Sequence, residues 1–197
     1  MVAVETSDSL DAEARVLVVT TELLETGGRD AVRVRDLARL ARVSPNSIYK
    51  SFGNLEQVMI AALEAWTDEH VYRTLGDPPL DSPLRDRLLW QFRQIFEPWE
   101  RHPNIARAHV LTRMNPGGER LYEQGIEALT PVLTELYRDV EPELAWDLML
   151  IIDHVAQSLT FRFATGQIEI TAIRSTLERV IVRLTEGHDE QPATAEQ

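Results

Sequence analysis

The dipeptide Ser44-Pro45 restricts this chain more than any other feature of its sequence. Serine is a strong helix N-cap, and proline fits the first helical position, where its missing N–H costs nothing. A helix therefore starts at this point and cannot be extended back through it. Just upstream, residues 34–41 place Leu37, Ala38 and Ala41 on one face of a separate short helix. Downstream, Phe52-Gly53-Asn54 breaks the second helix at about Ser51. Two short helices joined by a tight turn make a helix-turn-helix. In that motif the second helix enters the DNA major groove, and its first residues meet base edges.

The residues at those positions have suitable chemistry. Asn46 can bond adenine bidentately, and Lys50 can donate to guanine. Ser47 and Tyr49 can donate to phosphates, which fixes register without reading sequence. Ser44 and Pro45 complete the leading end. Ile48 points the other way and is expected in the core against Leu37 and Leu40, with Phe52 also on the core side. The net charge of the whole chain is −12, which opposes binding to a polyanion. The charge is unevenly placed, however. Arg29, Arg33, Arg35, Arg39, Arg42 and Lys50 face only Asp30 and Asp36 within residues 29–50, a local +4 that leaves −16 elsewhere. The alternative is a solvated, arginine-rich helix face with no partner.

The remaining periodic segments also read as helices: about 10–26, 55–75, 84–101, 103–114, 119–139, 141–164 and 169–186. Pro98 is expected to kink or end its helix, and Pro131 to interrupt its own. No strand alternation or internal repeat is present, so the expectation is an all-α chain of about nine helices. Three parts are expected: a helix-turn-helix head over 1–54, a larger helical body over 55–186, and a polar, disordered tail over 187–197.

The stretch TGGRDAVRVRDLARLARVSPNSIYKSFGNLEQV, residues 26–58, resembles the TetR family of bacterial transcriptional regulators. The matching pattern is Val-x-Asp-Leu-Ala, then Ala-x-Val-Ser, then Ile-Tyr-x-x-Phe-Gly. The resemblance implies that the first three helices bind DNA, that later helices enclose a small-molecule pocket, and that the last two pair with a second subunit. Arg33 and Arg35 then join Ser44, Pro45, Asn46, Ser47, Tyr49 and Lys50 as the expected DNA-binding set. The chain departs from the family pattern at Arg42, commonly Gly, at Ser51, often His or Tyr, and at Leu55, usually Lys or similar. Arg33 and Val34 stand where Ser or Thr often caps the second helix.

A pocket between body helices would suit an apolar or amphipathic ligand. The candidates are Trp66, Phe92, Phe96, Trp99, His109, Tyr122, Asp153 and Gln157; the alternative is that the aromatic residues are ordinary core. Residues 145–164 are apolar on more than one face, and Ile170, Ile173, Leu177, Ile181 and Leu184 form a stripe. Both features suggest a homodimer through the last two helices, with two recognition helices on a roughly palindromic double-stranded DNA operator. The function expected is therefore a ligand-responsive DNA-binding regulator, a repressor released by a small apolar or amphipathic effector. The alternative is a helical small-molecule-binding protein whose DNA recognition is weakened or lost.

Several classes are not expected. The chain has no cysteine. It also has no Glu-x-x-His pair, Gly-rich phosphate loop or nucleophile elbow, so no catalytic residue, metal or cofactor is expected. The acidic N-terminus is unlike a signal peptide and no apolar run could span a bilayer, which points to the cytoplasm.

Overall fold

The structure, a computed structural model, describes residues 3–186. Among these residues there are nine α-helices and no strand: α1 (Ala3–Gly27), α2 (Val34–Ala41), α3 (Pro45–Phe52), α4 (Leu55–His70), α5 (Leu84–Arg101), α6 (Pro103–Arg113), α7 (Glu119–Leu136), α8 (Pro142–Ala164) and α9 (Thr171–Thr185). The tail expected over 187–197 lies outside the described residues.

The chain divides into two compact units. The first takes in Met1–Arg73 and His102–Gly125, so the expected head over 1–54 shares its unit with α4 and α6. In this unit α1 packs on α2, α4 and α6, and α4 packs on α3 and α6. Leu24, Leu37, Ile48, Ile60, Leu63 and Ile105 are fully buried. Each such side chain contributes about 1.5–3 kcal/mol relative to exposure.

The second unit takes in Thr74–Arg101 and the chain from Ile126 onward. Here α9 packs on both α5 and α8. Leu88, Leu136, Ile173, Leu177 and Ile181 are fully buried. The buried Arg87 lies in a bidentate pair with Asp139, its nitrogens 2.6 and 3.3 Å from the two carboxylate oxygens. The Arg87 hydrogen bond outweighs desolvation and holds the Asp139 carboxyl below its ordinary value.

Several sequence expectations need correction. The first helix starts at Ala3 instead of about residue 10, and α4 ends at His70, followed by a 3-10 turn at Tyr72–Thr74. Neither proline stops its helix: Pro98 and Pro131 both sit inside continuous helices. Pro98 falls in the last turn of α5, where only one backbone hydrogen bond is forfeited. The α9 stripe expected to face a second subunit is mostly used within the chain. Ile170, Ile173, Leu177 and Ile181 are buried, and Leu184 is half-buried. The exposed apolar side chains of the second unit lie largely on α8 instead: Trp146 (63% exposed), Leu150, Ile151 and Phe161.

Candidate nucleic-acid interface

The two short helices of the motif meet at a turn with unusual backbone geometry. Arg42 ends α2 in the left-handed conformation, φ 55° and ψ 46°, the only non-glycine residue with positive φ among those described. The Val43 N–H donates to the Ala38 carbonyl at 3.0 Å and closes the helix end. From α1, the Arg15 Nε donates to the Ala41 carbonyl at 3.1 Å.

The start of α3 is then fixed by its own residues. Ser44 is extended (φ −78°, ψ 150°), and its Oγ accepts from the Ser47 N–H at 3.0 Å. The two serine hydroxyls lie 2.8 Å apart. One hydroxyl proton is used between them, which leaves the other for an outside acceptor. Ile48, 1% exposed, anchors the inner face of α3. Leu40, expected beside it, is 43% exposed. It lies on the outward side of α2, next to Arg39, while Leu37, Ala38 and Ala41 form the buried side. Phe52 is half-buried.

All eight expected DNA-contacting residues are exposed: Arg33, Arg35, Ser44, Pro45, Asn46, Ser47, Tyr49 and Lys50. Their charges also differ in availability. Arg39 reaches Asp36 at 3.4 Å, and Arg29 is engaged by Glu56. Among the described residues, Arg33, Arg35, Arg42 and Lys50 take part in no ion pair. Among the described residues, four uncompensated cations therefore lie along the helix-turn-helix: Arg33 and Arg35 at the start of α2, Arg42 at its end and Lys50 in the last turn of α3.

Sequence reading missed the network behind this surface. Arg29 donates to both oxygens of Glu56 (3.1 and 2.9 Å) and to the Thr112 hydroxyl, while Asn115 Nδ2 donates to Glu56 at 3.0 Å. Burial pushes the Glu56 carboxyl up. The hydrogen bonds from Arg29 and Asn115, with the Arg29 charge, outweigh that and hold it below its ordinary value. The network joins the start of α4 to the end of α6. The corner after α6 depends on Gly118, since a Cβ there would run into the Thr112 carbonyl and the Arg113 backbone. Asn54 caps α4 by accepting from the Gln57 N–H at 2.9 Å. Asn followed three residues later by Gln is a capping signature that the sequence did offer. The Arg29–Glu56–Asn115 contacts carry no local sequence signal.

The eight ligand candidates are divided between the units. In the first, Trp66 is buried, stacked on His70 (4.8 Å) and edge-on to His102 (5.3 Å). His109 is buried, and burial together with the Arg113 charge lowers its pKa to about 3, so it stays neutral at physiological pH. Tyr122 is exposed, with the Arg113 guanidinium 5.5 Å from its ring centroid. In the second unit, Phe92 and Phe96 are buried and stacked at 6.0 Å, and Trp99 is half-buried. Asp153 is exposed and Gln157 half-buried, one turn apart on α8 and joined by a 2.6 Å hydrogen bond.

Two family models match the chain. Bacterial regulatory proteins of the tetR family match residues 16–62, and the tetracyclin repressor-like C-terminal domain matches residues 82–184. No curated protein matches it in sequence at a significant level. Among solved structures, the chain is similar to a TetR-family transcriptional regulator from Streptomyces coelicolor. The two are 20% identical with a TM-score of 0.65, over 88% of this chain and 82% of that one. A TetR transcriptional regulator from Rhodococcus sp. RHA1 is 16% identical with a TM-score of 0.62, over 92% of this chain and 98% of that one. At such identities the likeness shows the fold alone.

Proposed function

Since the chain belongs to the TetR family of bacterial transcriptional regulators and carries its DNA-binding helix-turn-helix, we propose that it is a cytoplasmic, ligand-responsive repressor acting as a homodimer on a palindromic operator. The observation that carries this reading is the exposed face of α3. There, Asn46 and Ser47 stand on a capped helix start, Tyr49 and Lys50 follow along the same helix, and Lys50 and the nearby Arg42 meet no carboxylate among the described residues. Asn46 and Lys50 would read base edges, and Arg33, Arg35 and Arg42 would hold phosphates.

The exposed side of α8 supports the dimer. Trp146 and Leu150 lie one turn apart on it, and Ile151 and Phe161 of the same helix are exposed as well, a frequency of bare apolar side chains that suits an interaction site. The effector would be small and apolar or amphipathic, as the buried Phe92–Phe96 pair suggests. Its signal would reach the head through α4, whose Val58 and Met59 are buried in the first unit and whose Glu56 is tied to Arg29, Thr112 and Asn115. An effector need only favour one of two conformations; a coupling of about 1–3 kcal/mol changes operator affinity by roughly 5–150-fold.

Fluorescence anisotropy against DNA from upstream of the protein's own gene, with a scrambled duplex and two salt concentrations, tests the reading. Tight binding to the native fragment alone, weakening steeply with salt, is expected. Equal weak binding to both fragments would favour the alternative, a ligand-binding helical protein with diminished DNA recognition. The left-handed Arg42 and the half-buried Leu55 at the start of α4 would then be its cause.

A further inference from the structure

The second unit carries a groove of about 620 Å³ between α5 and α9, lined by Leu89 and Arg93 from α5 and by Ser175, Glu178, Arg179, Val182, Arg183 and Glu186 at α9. Its volume falls within the range of small-molecule sites, roughly 300–1,000 Å³. Its charge runs against that of the chain, because three arginines converge on it in a sequence of net charge −12.

The partners of these arginines sharpen the point. Most arginines of the second unit meet a carboxylate: Arg85, Arg87, Arg101, Arg138 and Arg174 all do. Among the described residues, Arg93 and Arg183 make no hydrogen bond or ion pair. Arg179 donates to the Ser175 carbonyl at 2.7 Å and to the Thr176 hydroxyl at 3.0 Å. Both acceptors are neutral, so they orient the guanidinium without cancelling its charge. Of the two groove carboxylates, Glu178 is already engaged by Arg174 at 3.6 Å. The same signature, exposed arginines left unpaired amid surplus carboxylates, marks the phosphate-facing side of the head. The groove also has an apolar component in Leu89 and Val182.

We propose that the α5–α9 groove is a binding site for a small amphipathic anion, whose carboxylate or phosphate is held by Arg93, Arg179 and Arg183 while its apolar portion lies on Leu89 and Val182. Guanidinium forks match both oxyanions with paired hydrogen bonds, so the site recognises the charge and geometry they share. The groove is separate from the buried Phe92–Phe96 face of α5, and the proposal does not depend on the DNA-binding reading.

Calorimetric titration of the full chain with sodium octanoate, octyl phosphate, 1-octanol and inorganic phosphate tests it. Octanoate and octyl phosphate are expected to bind. Octanol, which keeps the apolar body, and inorganic phosphate, which keeps the charge, should each bind roughly tenfold or more weakly. Arg93→Gln with Arg183→Gln, both exposed and therefore compatible with folding, should weaken octanoate and octyl phosphate by a similar factor. Arg33→Gln with Lys50→Gln in the head should leave both unchanged. Equal binding of octanol and octanoate, no binding of either anion, or unchanged affinity in the groove variant would overturn the proposal. So would a groove variant that alters only the monomer–dimer balance in sedimentation, which would make the groove a contact between copies of the chain.

Discussion

Arg42 combines a conformational cost with an electrostatic role, and two substitutions separate them. The left-handed conformation costs a residue with a Cβ about 1–2 kcal/mol. Glycine escapes that cost but loses more backbone freedom on folding, about 0.5–1 kcal/mol. Arg42→Gly should therefore stabilise the protein by about 0.5–1 kcal/mol. Arg42→Ala removes the same charge and keeps the same backbone cost, so it should gain nothing. For a chain of this size the glycine variant should melt roughly 1–4 °C higher than the alanine variant. Exchange of the Val43 amide, which is bonded to Ala38 across the turn, should slow in parallel. On DNA the two variants should behave alike. With Arg42 facing phosphate as proposed, each variant loses one such cation per protomer, so the slope of log affinity against log salt should shrink by about 0.9 per protomer. The assays are thermal melting and amide exchange for the backbone, and anisotropy over a salt series for the charge. Glycine and alanine variants of equal stability would refute the strain argument. An unchanged salt slope would refute the placement of Arg42 beside phosphate.

Lys50→Ala and Tyr49→Ala should weaken operator binding in anisotropy while sedimentation shows the same oligomer; unchanged affinity in both would mean that α3 is not the reading helix. Glu56→Gln should cost about 1–3 kcal/mol at neutral pH by removing charged hydrogen bonds from Arg29 and Asn115, measurable by denaturant unfolding. Because folding lowers the Glu56 pKa, its contribution is complete above the ordinary value of 4.5 and fades as the pH falls through the lowered one. Wild type and variant should therefore converge in acid, and a gap that widened there would contradict the sign. Leu150→Arg on the exposed face of α8 should shift a sedimenting dimer toward monomer with an unchanged circular dichroism spectrum.

What the sequence disclosed was local. The Ser44–Ser47 cap and the proline at the first position of α3 each act within one helical turn, and their residue types announce them. Helix faces were readable where one side was plainly apolar, as for Leu37, Ala38 and Ala41. The failures come from questions that periodicity cannot answer. An apolar stripe does not say whether its partner lies in the same chain, so Ile173, Leu177 and Ile181 suggested a second subunit while they were packing against α5 and α8. Leu40 looked like core because it is apolar, yet its angular position on α2 turns it outward. Pro98 and Pro131 looked like stops because local rules do not weigh one lost hydrogen bond against a long packed helix. Nothing near Arg29 indicates that its partners stand 27 and 83 residues further along.

The order in which the first unit's segments occur along the chain has a consequence for synthesis. Its two parts, Met1–Arg73 and His102–Gly125, are separated by a segment of the other unit. On a ribosome, the helix-turn-helix and α4 are complete well before Thr112, Asn115 and the α6 face that packs on α1 have been made. At bacterial elongation rates of about 5–20 residues per second, that wait lasts roughly 3–10 s. During the wait Glu56 and Arg29 have only each other, and the α1 and α4 surfaces that later meet α6 face water. A nascent chain paused in this interval is the form in which chaperones or proteases would meet the protein, and no single cut would release either unit whole.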